Sequence, residues 1–130
     1  METLYAKLPY TNIYFQGNII IVRFLQNSNI DIIEAPLISE KVGELVKNTK
    51  CGILIDARDL MFITNDARKH FASQANPYVL YIALLINSVI QKSFANLYLK
   101  FAKPVIPTRM FNNYEASINW LKEQINIHEV

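Results

Sequence analysis

Cysteine is nearly absent from this chain: Cys51 stands alone among 130 residues. One thiol can neither close an intramolecular disulfide nor share a metal with a second thiol, and a reducing compartment such as the cytoplasm is its simplest home. Glycine is almost as scarce, with only Gly17, Gly43 and Gly52. A phosphate-cradling loop needs clustered glycines, because a Cβ keeps the backbone from close approach. Walker-type and dinucleotide-fingerprint functions are therefore not expected. The two histidines, His70 and His128, have no third ligand at metal spacing, so neither a metal nor another cofactor is expected. Charge is low as well: 13 Lys and Arg against 11 Asp and Glu leave +2, with 18% charged residues. That offers no electrostatic case for nucleic acid or an anionic membrane surface. The start of the chain lacks a basic segment followed by an apolar stretch, so it does not read as a secretory signal. The longest uncharged run, Phe71–Gln91, is interrupted by Ser73, Gln74, Asn76, Pro77, Asn87 and Ser88. Its apolar part, Tyr78–Ile86, has strand length, whereas a transmembrane helix needs ~20 apolar residues. No transmembrane segment is expected, and a cytoplasmic location is.

Hydrophobic residues make up 52% of the chain, enough for a real core in one domain spanning residues 1–130. Leu4–Leu8 and Ile13–Gln16 read as strands bounded by Pro9 and Gly17. Ile19–Leu25 is a β-branched strand, entered through Gly17-Asn18, which suits a hairpin turn. Gln26–Asn29 reads as a polar turn. Asp31 is placed to cap a helix reaching Val46, with Ala35, Ile38, Val42, Leu45 and Val46 on one face. Gly52–Asp56 has the composition of a strand buried on both faces. Thr64 opens a helix through Ser73, and Val79–Ile86 is a further buried strand. Ser88–Phe101 has helical amphipathicity through Ile90, Phe94, Leu97 and Phe101. Pro104–Phe111 reads as an edge strand because of its prolines. Asn112 and Glu115 form a capping signal before a helix that buries Ile118, Leu121 and Ile125. An antiparallel meander followed by alternating strands and helices, about four of the latter, predicts an α/β domain with a mixed sheet.

Within this order, Ile55–Ala67 reads IDARDLMFITNDA. The segment resembles the centre of STAS domains, the anti-sigma-factor antagonist (SpoIIAA-like) superfamily. There a strand ends in a hydrophobic-polar pair, a charged-Asp-Leu-x-Phe-hydrophobic turn follows, and Asp-Ser-Ser-Gly opens a helix. Arg58, Asp59, Leu60, Phe62 and Ile63 match the turn at the same spacing. The downstream pieces, ending in the Trp120-Leu121 helix, look like a bacterial branch of this fold. The resemblance implies a SpoIIAA/STAS-like mixed sheet and a non-enzymatic regulatory module that binds a protein partner. It places the contact face at Arg58, Asp59, Thr64, Asn65, Asp66 and Arg68. The family's phosphoacceptor serine falls on Asp66, with Thr64 where the motif has aspartate, so control by phosphorylation in its usual form is lost. Asp66 then has two readings. It holds a phosphate-like charge permanently at the helix start, or it simply stabilises the first turn, where acidic residues are ordinary.

The remaining candidates are bland. Ser88 and Asn87 follow a buried strand, where α/β folds present ligand-binding groups, but no G-x-S-x-G elbow surrounds them and capping explains the serine. Asp56 and Asp59 around Arg58 read as ion-pair partners of Arg58 or Arg68 rather than as an acid–base pair. Cys51 reads as a buried small hydrophobe. The aromatic strands Leu4–Gln16 suit a sheet-edge contact between two copies, hence a homodimer. The alternative function is a small-ligand or lipid-binding α/β domain, since the resemblance extends loosely to lipid-transfer domains. Tyr78, Tyr81, Asn87, Ser88 and Phe94 would then line a pocket.

Overall fold

The apolar runs dictate the sheet, Ile19–Val22 most clearly, because Val and Ile restrict χ1 and pack well on a pleated surface. In the structure, a computed structural model that describes residues 1–87 and 104–129, these runs are β3 (Ile19–Phe24), β5 (Cys51–Asp56) and β7 (Val79–Leu85). They lie side by side and parallel at the centre of a six-stranded sheet. The hairpin strands β1 (Thr3–Leu8) and β2 (Thr11–Gln16) extend it antiparallel on one side. Gly17, at φ +57°, makes the turn into β3 in the left-handed region that glycine enters without steric cost. On the other side β8 (Thr108–Phe111) adds parallel to β7, giving the order β1-β2-β3-β5-β7-β8. The proline-flanked segment therefore is an edge of the described sheet, as expected, although pairing covers only its second half.

Two short strands differ from the sequence reading. β4 (Ser28–Ile30) lies within and beyond the expected polar turn, and β6 (Leu60–Ile63) lies where the 58–63 turn was expected. They pair with each other as a separate parallel ribbon. Neither has the length at which alternation becomes legible, and only their mutual pairing makes them strands.

Helix α1 (Ala35–Val46) starts later than Asp31, with Glu34 as N-cap and Pro36 in its first turn. The reason is that Asp31 is already engaged: its Oδ1 accepts from the Ile32 N–H at 2.7 Å and from the Thr64 hydroxyl at 2.9 Å. Helix α2 (Asn65–Ser73) does start from Thr64, whose Oγ1 accepts the Ala67 N–H at 3.2 Å. Helix α3 (Tyr114–Glu129) is capped by Asn113 rather than Asn112, since the Asn113 Oδ1 takes the Ala116 N–H at 2.9 Å. The expected helix Ser88–Phe101 lies outside the described residues.

The strand alternation splits the core between two faces. Ile20, Val22, Phe24 and Ile53 pack with Ala35, Ile38, Val46 and Ala67, so α1 and α2 share one face. Ile19, Ile21, Leu54, Ala83 and Leu85 pack with Ile118, Leu121 and Ile125 of α3 on the other. Gly52 is where α3 approaches most closely: a Cβ there would stand 3.0 Å from the Leu121 Cδ2 and 3.3 Å from the Ile125 Cδ1. Cys51 is buried, and burial pushes its thiol up to about 11, the behaviour of a packed thiol and not of a nucleophile.

Candidate functional site

Parallel strands of an α/β sheet present polar groups beyond their C-terminal ends. Here Arg23 and Asp56, near the ends of β3 and β5, are register partners. Asp56 is 2% exposed, and a charge so buried needs paired partners. It has them. Its Oδ2 accepts from the Arg23 Nε at 2.7 Å and the Arg58 Nη2 at 2.8 Å, and its Oδ1 accepts from the Arg58 Nε at 2.9 Å. Arg23 continues the chain of charges, donating from both terminal nitrogens to the Glu2 carboxylate at 2.7 and 2.9 Å. Glu2 also accepts the Tyr114 hydroxyl at 2.6 Å. Arg23 lies over the Tyr14 ring and Arg58 over the Tyr114 ring. Burial alone would raise the Asp56 carboxyl, but the hydrogen bonds from Arg58 and Arg23 outweigh it and hold it below its ordinary value. Arg23 likewise holds Glu2 low against the cost of burial. Two carboxylates and two guanidiniums thus close on each other, which locks the turn after β5 and offers no poised acid or base.

That lock positions the expected contact face. Arg58 is committed to Asp56, with its side chain 37% exposed, so it acts first as a structural tether. Asp59 projects into solvent from the turn. The β4–β6 ribbon then carries the chain to Thr64, whose hydroxyl both donates to Asp31 and caps α2. Asn65 accepts a hydrogen bond from Arg68, one turn on. Asp66 is exposed in the first turn of α2, where the unpaired N–H groups and the helix dipole favour a negative charge. Of the expected set, Thr64, Asn65, Asp66 and Arg68 lie at the α2 start, whereas Arg58 and Asp59 lie in the turn before β6, at the other end of that strand.

The sequence reading missed Arg23, Glu2 and Tyr114. The signal available was Arg23 itself, one charge inside the apolar strand IIIVRF, which a buried charge rule marks as needing a partner. The partners are 33 and 21 residues away and only strand pairing brings them in.

A second feature is an apolar groove of about 550 Å³ on the α1–α2 face, lined by Val22, Ile38, Phe71, Ile82, Leu84 and Ile106 among others. Of the residues expected to line a pocket, the described ones, Tyr78, Tyr81 and Asn87, are not among its lining. Tyr81 points to the opposite face and meets Trp120 edge-on, because β7 alternates and sends Ile82 and Leu84 to the groove instead. Tyr78 packs against the α1–α2 core from the start of β7 without lining the groove, and Asn87 is exposed beyond the end of β7. Ser88 and Phe94 lie outside the described residues. Among the described residues, no three His, Cys, Asp or Glu side chains gather as a metal site, and no helix is long and apolar enough to cross a membrane.

With this geometry in place, the comparisons with known proteins are informative about fold. Residues 13–125 match the family described as "Domain of unknown function (DUF7793)", and the chain belongs to it. No curated protein matches the chain. Among solved structures, it is similar to an uncharacterized protein of the DUF3478 family with a SpoIIAA-like fold from Shewanella loihica PV-4. The TM-score is 0.61 at 10% identity, over 93% of this chain and 95% of that one. It is also similar to an anti-sigma factor antagonist from Mycobacterium paratuberculosis, with TM-score 0.61 at 13% identity over 86% of this chain and 92% of that one. The chain has the SpoIIAA-like fold that its 55–67 segment resembles.

Proposed function

We propose that this member of the family is a non-enzymatic regulatory module that binds a protein partner through the face formed by Asp59, Thr64, Asn65, Asp66 and Arg68, with Arg58 at its edge. The observation that carries the reading is the α2 start. Asp66 presents an exposed carboxylate in the first turn of a helix whose cap, Thr64, is fixed by Asp31. A partner meets there a charge held by rigid elements and not by a loop. Support comes from the fold, shared with an anti-sigma factor antagonist, and from the closed charge network beside the face, which leaves its carboxylates and guanidiniums engaged with one another. In this reading Asp66 supplies a constant negative charge at the position where STAS domains carry their phosphoacceptor serine. A homodimer belongs to the same proposal, carried by Leu4 and Tyr5, which are 45% and 40% exposed on edge strand β1; light scattering at micromolar concentration reads its mass.

A second reading has one observation in its favour, the groove on the α1–α2 face, whose apolar lining suits a small hydrophobic ligand. A native mass spectrum of the protein recovered gently from its host separates the two. A second polypeptide in the complex supports the interaction module. An increment of a few hundred daltons supports the ligand binder.

A further inference from the structure

The chain contains four arginines, and three of them donate to side chains in the structure: Arg23 and Arg58 to carboxylates, Arg68 to Asn65. Arg109 is used differently. It is exposed on β8, its guanidinium carbon 5.1 Å from the Phe111 ring centroid and 6.0 Å from that of Trp120. Trp120 is itself fixed by an edge contact with Tyr81 at 5.5 Å. Among the described residues no carboxylate pairs with Arg109. A guanidinium stacked on aromatic rings keeps its N–H fork directed outward, in the geometry that takes a carboxylate in two parallel hydrogen bonds.

Among the described residues, the strand that carries Arg109 also has backbone groups with no partner strand. The Ile82 N–H donates to the Pro107 carbonyl at 2.9 Å and the Ile86 N–H to the Phe111 carbonyl at 2.9 Å. In a parallel ladder this phase turns the backbone groups of Pro107, Arg109 and Phe111 toward β7 and those of Thr108 and Met110 away from the sheet. No strand lies beyond β8 in the described sheet. The exposed charge on β8, Arg109, matches an acidic segment.

We propose that the β8 edge receives an extended acidic peptide segment as an added strand, with main-chain hydrogen bonds to Thr108 and Met110 and a carboxylate held by Arg109. The main-chain bonds supply affinity and the arginine supplies specificity. This inference does not rest on the reading of the α2 face, which uses other residues.

Trp120 is the sole tryptophan and gives the readout. The full chain is titrated with a synthetic acetylated and amidated Val-Glu-Val-Glu-Val-Glu peptide, with its lysine counterpart, and with the acidic peptide N-methylated at alternate residues. The expected result is a saturable change of Trp120 fluorescence with the acidic peptide only, confirmed by calorimetry. Arg109→Glu should weaken binding about tenfold or more, the consequence of losing charge-assisted hydrogen bonds. Arg109→Gln, which keeps shape and hydrogen bonding without charge, serves if the glutamate variant fails to fold by circular dichroism. Absence of saturable binding overturns the proposal. Equal binding by the arginine variants removes the carboxylate grip and overturns it too, and equal binding by the N-methylated peptide overturns strand addition.

Discussion

Arg23 and Asp56 face each other across the parallel pair β3–β5, with the Arg23 Nε 2.7 Å from the Asp56 Oδ2 and the Asp56 side chain 3% exposed. Removing one partner of a buried pair leaves the other uncompensated, a change that costs about 3–5 kcal/mol. Asp56→Ala should reach that range in urea unfolding, because it strands both Arg23 and Arg58. Glu2→Gln should cost less, on the order of 1 kcal/mol, since Glu2 and Arg23 are about a quarter exposed and solvent screens them.

The same network sets the pH dependence. Glu2 and Asp56 are held below their ordinary values of 4.5 and 3.8. Their contribution is complete above those values and is lost as pH falls through the lower folded-state values. Tyr114 behaves in the opposite sense: burial and the hydrogen bond to Glu2 raise it from 10.0 to about 12. Its contribution is present below the ordinary value and disappears as pH climbs toward the folded one. Melting temperatures should therefore drop in strong acid and again in the alkaline range, and Tyr114→Phe should flatten the alkaline limb and, because the Tyr114 hydroxyl also helps hold Glu2 low, slightly reduce the acid one. An absorbance titration should find one tyrosine ionising near pH 12 in the folded protein.

The central strands were legible because β-branched runs such as IIIV and GILI have few other uses, and the Thr64 cap was legible because capping is local chemistry. What was not legible depends on distant partners. β4 and β6 are three and four residues long and exist through each other. The α1 start moved because Asp31, a good cap by sequence, bonds across to Thr64. Asp56 was read as an ion-pair partner of a nearby arginine, and Arg58 is one; Arg23 and Glu2 reach the cluster only after the sheet has formed. Tyr81, expected in the pocket, faces Trp120 while its neighbour Ile82 lines the groove, a matter of strand phase that composition does not fix.

Thr64 caps α2 and bonds to Asp31, so its hydroxyl is testable on its own. Thr64→Ala removes the α2 cap and the bond to Asp31, and should cost about 1–2 kcal/mol by thermal or chemical unfolding. Thr64→Ser keeps the oxygen and should stay close to wild type.

Thr11 offers the reverse case. Its side chain is fully buried and, among the described residues, its hydroxyl has no hydrogen-bond partner. A buried hydroxyl without a partner costs roughly 1–3 kcal/mol, and valine has nearly the same shape with good strand propensity. Thr11→Val should raise the melting temperature. A decrease would mean that the hydroxyl is satisfied in solution.

The central claim is that the exposed carboxylate of Asp66, fixed at the start of α2, is read by a protein partner. The decisive measurement is calorimetric titration of the polypeptide that co-purifies with the chain in its host against wild type, Asp66→Ala and Asp66→Ser. The account predicts that both variants fold with wild-type stability, to within roughly 1 kcal/mol for an exposed first-turn charge, and bind at least about tenfold more weakly, as expected for lost hydrogen bonds to a charged group. Affinities equal to wild type in both variants would contradict it.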